Sequence, residues 1–216
     1  GEFFLLPARV PHSPNRFENT IGLVIERERL PDETDGLRWY VKGSPEPKIL
    51  YQEWFHCTDL GTQLKPVIER FFASEECKTD TPSAEFSDAD NPFPLDTEVA
   101  CGDPINFRAW AAEHASGGKN ALMFGGADTE YQMAVFSGPD EWPHWKSHAG
   151  ETFIWQVDGE VALDVRDAEG AVTRHTVPAG HVYMLPPGWA YKAERAVGGL
   201  GVVVTNTVVT EADKKP

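Results

Sequence analysis

The feature that most limits how this chain can fold is a repeat of itself. Laid with position 180 on position 1, an offset of 179, GHVYMLPPGWAYKAERAVGGLGVVVT runs beside GEFFLLPARVPHSPNRFENTIGLVIE without a gap. Gly1 meets Gly180, Pro7 meets Pro186, Arg16 meets Arg195 and Gly22 meets Gly201. Apolar positions agree as well: Leu6 with Leu185, Val24 with Val203, Ile25 with Val204. Each copy reads as one β unit. A Gly opens a turn, an apolar strand follows, a Pro-rich corner redirects the chain, and a second strand carries a Gly where backbones come close. Two such copies imply two similar β barrels. The first copy begins at residue 1, so strands that would precede it in a barrel lie outside this sequence, and the chain reads as a fragment.

The remaining segments support an all-β architecture. Strands are expected at Phe3–Leu6, Ile21–Glu28, Leu37–Lys42 and Ile49–Phe55, closing the first barrel. Leu60, Leu64, Val67, Ile68, Phe71 and Phe72 recur at three- and four-residue spacing, which predicts a helix that Pro66 would kink or start. The polar, Pro- and Asp-containing stretch 77–96 reads as a linker. Asp103-Pro104 predicts the start of a short helix running to about Ala115. Strands then recur to Val209, with hairpin turns at Asp158-Gly159 and Asp167–Gly170. The expected division is a catalytic domain over 1–80, a linker over 81–96 and a second domain over 97–216.

Charge and cysteine usage exclude several classes. With 19 basic and 34 acidic residues the net charge is −15, the wrong sign for neutralising phosphates, so nucleic acid is not an expected partner. No run approaches the ~18 apolar residues of a membrane helix. Cys57, Cys77 and Cys101 are odd in number and widely spaced, which argues against a disulfide framework or a thiolate zinc site and fits the cytosol.

Chemistry concentrates after the Pro7 corner. His12 is bracketed by Pro11 and Pro14, which stiffen its loop. Arg16 follows four residues later and can present a planar fork to a carboxylate. Glu26, on the returning segment, can place an acceptor opposite. A corner histidine bonded to nearby backbone is the bland alternative; a His, an Arg and a Glu converging on one barrel mouth would suit a small aromatic acid beside a metal.

G-E-F-F-L-L-P-A-R-V-P-H-S-P-N-R resembles the second cupin motif, with Arg9 in place of its second Gly and Arg16 in place of its Asn. Followed by T-I-G-L-V-I-E-R, D-G-L-R-W-Y and W-F-H-C-T-D-L-G-T-Q-L, it resembles the 3-hydroxyanthranilate 3,4-dioxygenase family of the two-cupin type. That resemblance implies a bicupin of two jelly-roll barrels, the first incomplete here, with a few short helices between them. It implies Fe(II) bound by two His and one Glu, with His12 as the second His and the other two ligands upstream. It assigns Arg16 to the substrate carboxylate and Glu26 to the ring's amino or hydroxyl group. The expected partners are a small aromatic substrate and O2. A monomeric cytosolic enzyme making the precursor of quinolinate, and so of NAD, is the implied whole.

The second copy keeps the barrel-forming residues and loses the chemical ones: His12 becomes Tyr191 and Glu26 becomes Thr205. Upstream of it His144, His148 and Glu151 resemble a first cupin motif, but its middle position is Lys146, an ammonium that donates only. A scaffold role is expected for residues 97–210. His56, His114, His175 and His181 stand alone and read as structural or exposed. The competing class is a metal-free bicupin binding or structural module. It accounts for Tyr191 and Lys146 but leaves Arg16 and Glu26 without a reason to flank His12. Thiol dioxygenases and sugar epimerases fit less well, the former needing no second cupin and the latter a base not found at the matching position.

Overall fold

A computed structural model describes residues 1–14, 17–126 and 129–206. The chain divides into two compact units, one of residues 6–101 and one of residues 1–5 with 102 onward. The elements in chain order are β1 (Glu2–Phe3), β2 (Asp35–Tyr40), β3 (Ile49–Phe55), α1 (Leu60–Ala73), α2 (Glu75–Thr79), β4 (Ile105–Asn106) and α3 (Phe107–His114). They continue with β5 (Asn120–Phe124), β6 (Tyr131–Ser137), β7 (Asp140–Glu141), β8 (Lys146–Ser147), β9 (Thr152–Asp158) and β10 (Glu160–Arg166). The last are β11 (Val172–Pro178), β12 (Val182–Leu185), β13 (Ala190–Arg195) and β14 (Leu200–Asn206).

The larger unit is a pair of five-stranded antiparallel sheets, the jelly-roll arrangement of cupins. One has the order β11-β10-β13-β7 with β8 also on β13; the other runs β12-β9-β14-β6-β5. Strand β10 buries Val161, Leu163 and Val165 and turns Ala162, Asp164 and Arg166 away, the alternation of a strand with one covered face. Strand β14 is buried on both faces. Val203 joins Ile154, Leu163 and Tyr191 between the sheets, while Val202 and Val204 meet Phe107 and Ala111 of α3. Burying Phe107 alone stabilises by about 1.5–3 kcal/mol. The tight turns expected at Asp158-Gly159 and Asp167–Gly170 join β9 to β10 and β10 to β11, with Gly159 and Gly170 at positive φ.

Helix α3 starts later than the Asp103-Pro104 pair suggests. Ile105 and Asn106 pair as a strand with Phe3 and Glu2, so their backbone is committed to a ladder. Asn106 Oδ1 then caps the helix by accepting from Ala109 N.

In the smaller unit, β2 and β3 form a hairpin on which α1 lies. Helix α1 runs unbroken through Pro66 from an Asp59 cap whose Oδ1 accepts from Gly61 N. It buries Val67 and Phe71, the latter stacked 4.1 Å from Trp39, while Phe72 stays 63% exposed. Residues of the polar 77–96 stretch pack on the hairpin: Arg38 donates to Asp88 and Asn91, and Phe93 meets Trp54. Part of that stretch is helical, in α2.

Two sequence-predicted strands change. Phe3–Leu6 shortens to Glu2–Phe3, and Ile21–Glu28 forms no strand. Its Ile21, Leu23 and Val24 are 102%, 66% and 60% exposed. A strand is stable only when neighbouring backbones take its N–H and C=O groups, and among the described residues, 21–28 meet no such neighbour.

Candidate active site

The corner that carries His12 is built by local backbone chemistry. Arg9 adopts φ +65°, a left-handed turn following Pro7, and Asp96 N donates to the Arg9 carbonyl at 3.0 Å. His12 is exposed, and its Nδ1 donates to the Val10 carbonyl at 2.9 Å. With Nδ1 engaged in that bond, Nε2 is the ring nitrogen left for a metal, the division found in metal-bound imidazoles. A second turn follows at Asn19, φ +59°, where Thr20 Oγ1 donates to Phe17 O. Arg16 lies outside the described residues.

Glu26 pairs with Arg29 at 3.6 Å and lines a cavity of about 340 Å³ together with Arg27, Arg29, Cys57, Thr58 and Asp59. His12 does not line it. Arg29 is already held in a two-point bond by Asp35, at 3.0 and 2.9 Å, which raises its pKa. Arg27 is clamped likewise by Glu33 at 2.6 Å. These guanidiniums are neutralised by their own carboxylates, so the cavity offers a substrate polarity more than net charge. Burial, with Asp35 nearby, pushes the Cys57 thiol up, away from nucleophilic use. The alternating run Glu26-Arg27-Glu28-Arg29 is the sequence signal for this network, one that a search for metal ligands passes over.

The matching place in the larger unit is filled from within. Tyr191, 1% exposed, faces Trp142 and His148, and burial drives its phenol pKa far up. The Lys146 ammonium stands 3.5 Å over the Trp142 ring, and desolvation lowers its pKa. Arg195, 2% exposed, donates from Nε to Gln156 at 3.2 Å and from Nη1 to Asp140 at 3.4 Å. Burial lowers its pKa against the pull of Asp140. His144 and Glu151 are exposed. A smaller cavity of about 100 Å³ at this end is lined by Gln132, His148 and Thr205 among others.

Among the described residues no three His, Cys, Asp or Glu side chains converge to hold a metal ion. A two-His, one-carboxylate iron site therefore does not fit the described residues by themselves: His12 offers one donor, and Glu26 is engaged with Arg29.

The opposed sheets of the larger unit define a cupin-type β protein. The 3-hydroxyanthranilic acid dioxygenase family profile matches residues 1–72 and 100–215. The 3-hydroxyanthranilate 3,4-dioxygenase of Rattus norvegicus is 38% identical over 219 residues, covering 100% of this chain and 72% of the rat protein. That of Homo sapiens is 37% identical with the same coverage, and that of Xenopus laevis 42% identical over 74% of this chain and 55% of its own. The chain belongs to the 3-hydroxyanthranilic acid dioxygenase family. Among solved structures, a hydroquinone 1,2-dioxygenase from Sphingomonas sp. TTNP3 aligns at TM-score 0.40 and 17% identity, over 50% of this chain and 32% of that one.

Proposed function

We propose that the protein opens the ring of 3-hydroxyanthranilate with O2 to give 2-amino-3-carboxymuconate 6-semialdehyde. That product closes to quinolinate on the route from tryptophan through kynurenine to NAD. The observation carrying this reading is the family match across residues 1–72, which includes His12, Arg16 and Glu26. Fe(II) is the cofactor of this reading, with His12 one of its ligands through Nε2 and the remaining ligands supplied by the upstream motif that the family resemblance implies. Arg16 takes the substrate carboxylate in a two-point bond, as a planar guanidinium does best. Glu26, released from Arg29, accepts a hydrogen bond from the ring's amino or hydroxyl group and can hold its proton. The work of these residues is to bind and orient the ring; this chain on its own is expected to be inactive.

Residues 97–210 are a second, degenerate cupin in this proposal and act as scaffold, a reading favoured by the Tyr191 and Arg195 side chains that occupy its interior. The protein is proposed to be monomeric and cytosolic. The test is Fe(II)-dependent oxygen uptake with 3-hydroxyanthranilate in the full-length protein, beside His12→Ala. Uptake in the parent and at least ~100-fold less in the variant, with unchanged folding, is expected, in line with the loss that follows removal of groups acting at a metal. Equal uptake in both removes His12 from the site. No uptake in either, with iron loaded, turns the choice to a metal-free binding module.

A further inference from the structure

The proposed chemistry leaves unused the proline-rich end of the polar stretch, Asn91-Pro92-Phe93-Pro94-Leu95-Asp96. Its upstream end is fastened to the β2–β3 hairpin. Asn91 Oδ1 accepts from Arg38 Nη2 and from Gln52 Nε2, each at 3.1 Å, and Arg38 Nη2 also donates to Asp88 at 3.0 Å. Arg38 is itself fixed by Gln52 Oε1 at 2.7 Å. Phe93 stands edge-on to Trp54, with 5.2 Å between ring centroids. The Trp54 ring lies across Gly36, where a Cβ would stand 2.5 Å from it. Pro92 and Pro94 then fix φ at two of the positions leading to Asp96.

The downstream end reaches the corner that carries His12. Asp96 N donates to the Arg9 carbonyl at 3.0 Å. Asp96 Oδ1 accepts from Glu98 N at 3.1 Å and from Val99 N at 3.0 Å, a local turn that sets the direction of the Asp96 backbone. Arg9 is the left-handed residue of the corner, at φ +65°. A non-glycine residue stays in that region only where its surroundings hold it, and the Asp96 bond is such a hold. His12 follows shortly after, its Nδ1 on the Val10 carbonyl. The second copy ties the same corner by backbone as well, with Gly188 N donating to the His148 carbonyl at 2.9 Å.

We propose that Asp96 is a positioning residue for His12: the segment 91–96 is a strap that holds the Arg9 corner to the hairpin and so fixes where the imidazole is presented. This rests on the reading of His12 as a ligand of Fe(II). A ligand serves only as well as the residues behind it lock its place. Here the lock is a backbone bond from a stiffened segment whose other end is anchored on paired strands.

The test uses the full-length protein and Fe(II) itself, titrated without oxygen against a competing chelator. Asp96→Pro removes the donating N–H and should weaken Fe(II) binding roughly tenfold, the lower end for a group that orients a ligand. Asp96→Asn keeps both the N–H and the accepting Oδ1 and should bind within about twofold of the parent. In the His12→Ala background Asp96→Pro should add nothing, since no imidazole remains to misplace. A strap that served stability alone would weaken binding in both backgrounds. That result, or parent-like binding by Asp96→Pro, overturns the inference. If His12→Ala itself leaves Fe(II) binding unchanged, the assignment of His12 has failed and the inference falls with it. Should Asp96→Pro not fold, Asp96→Ala decides, losing only the Oδ1 bonds to Glu98 and Val99. Faster hydrogen exchange at the position 96 amide together with weaker Fe(II) binding supports the strap, and binding equal to the parent overturns it.

Discussion

In the second copy of the repeat, Val182–Leu185, Ala190–Arg195 and Leu200–Asn206 are strands, laddered respectively to β9, to β10 and to both β9 and β6. In the first copy only Glu2–Phe3 is a strand, and the described residues at 11–14 and 21–27 carry none. Yet the corners at 9 and 19 match those at 188 and 198 in the sign of φ. Turns are set by a few adjacent residues, through Pro-fixed φ and tolerance of the left-handed region. Strands depend on distant backbone. The first copy retains what its own residues can enforce and lacks what neighbours must provide. Its apolar side chains are correspondingly bare, with Val24 at 60% exposure against 5% for its counterpart Val203.

The arginines sharpen this contrast most. In the second copy, Arg195 has a side chain fully buried beside an Asp140 that is 8% exposed. Replacing it as Arg195→Met would leave Asp140, among the described residues, with the Trp142 Nε1 donor at 2.9 Å and the field of the Lys146 ammonium. Breaking a buried pair by removing one partner costs about 3–5 kcal/mol, and the remaining Trp142 and Lys146 contacts put the loss at the lower end. Chemical denaturation should show that loss, and adding Asp140→Asn should recover part of it. Arg16→Met should instead act on KM, with much less effect on the midpoint. Equal destabilisation at both arginines would mean that the two copies use them alike, which would count against a substrate role for Arg16.

How much could be read in advance follows the same division. The jelly-roll strands of the larger unit, the two hairpin turns and helix α1 were legible because their signals are local: period-two alternation in β10, Gly159 and Gly170, and the apolar stripe over 60–73. The N-terminus of α3 was not, since the pairing of Ile105 with Phe3 is a contact across about a hundred residues. The segment 21–28 has the composition of a strand and, among the described residues, no partner. For the site, His12 and Glu26 were visible as chemistry, but the clamp of Arg29 by Asp35 and the burial of Tyr191 and Arg195 in the larger unit are tertiary facts. A motif names ligands; it does not say which acid an arginine prefers when several lie within reach.

The corners allow a smaller test. Arg9 holds φ +65° where the second copy has Gly188, and a side chain in that region costs about 1–2 kcal/mol, part of which glycine returns through its larger unfolded-state entropy. Arg9→Gly should therefore stabilise the protein by about 0.5–1 kcal/mol, and Gly188→Ala should destabilise it by a similar amount. Calorimetric midpoints moving in opposite directions would confirm that the two corners are one turn. A loss at Arg9→Gly would show that the arginine side chain makes contacts worth more than its strained backbone.

The least effect, and the one most specific to the second copy, is its pH response. His148 is half-buried near Tyr191 and Lys146, and burial first, then the Lys146 charge, lowers its pKa below the ordinary 6.5. The unfolded chain therefore takes up a proton that the folded one refuses, and the unfolded state gains as pH falls. Stability should be complete above about pH 6.5 and decline as the pH drops below it, toward the folded-state pKa. His148→Gln should flatten that part of the profile, leaving the decline due to carboxylates at lower pH. Lys146→Met, by removing the neighbouring charge, should shift the decline to higher folded-state pKa and shrink it. If neither variant changes the slope between pH 5 and 7, the histidine is solvated in solution and the interior of the second copy is looser than its packing of Trp142 and Tyr191 implies.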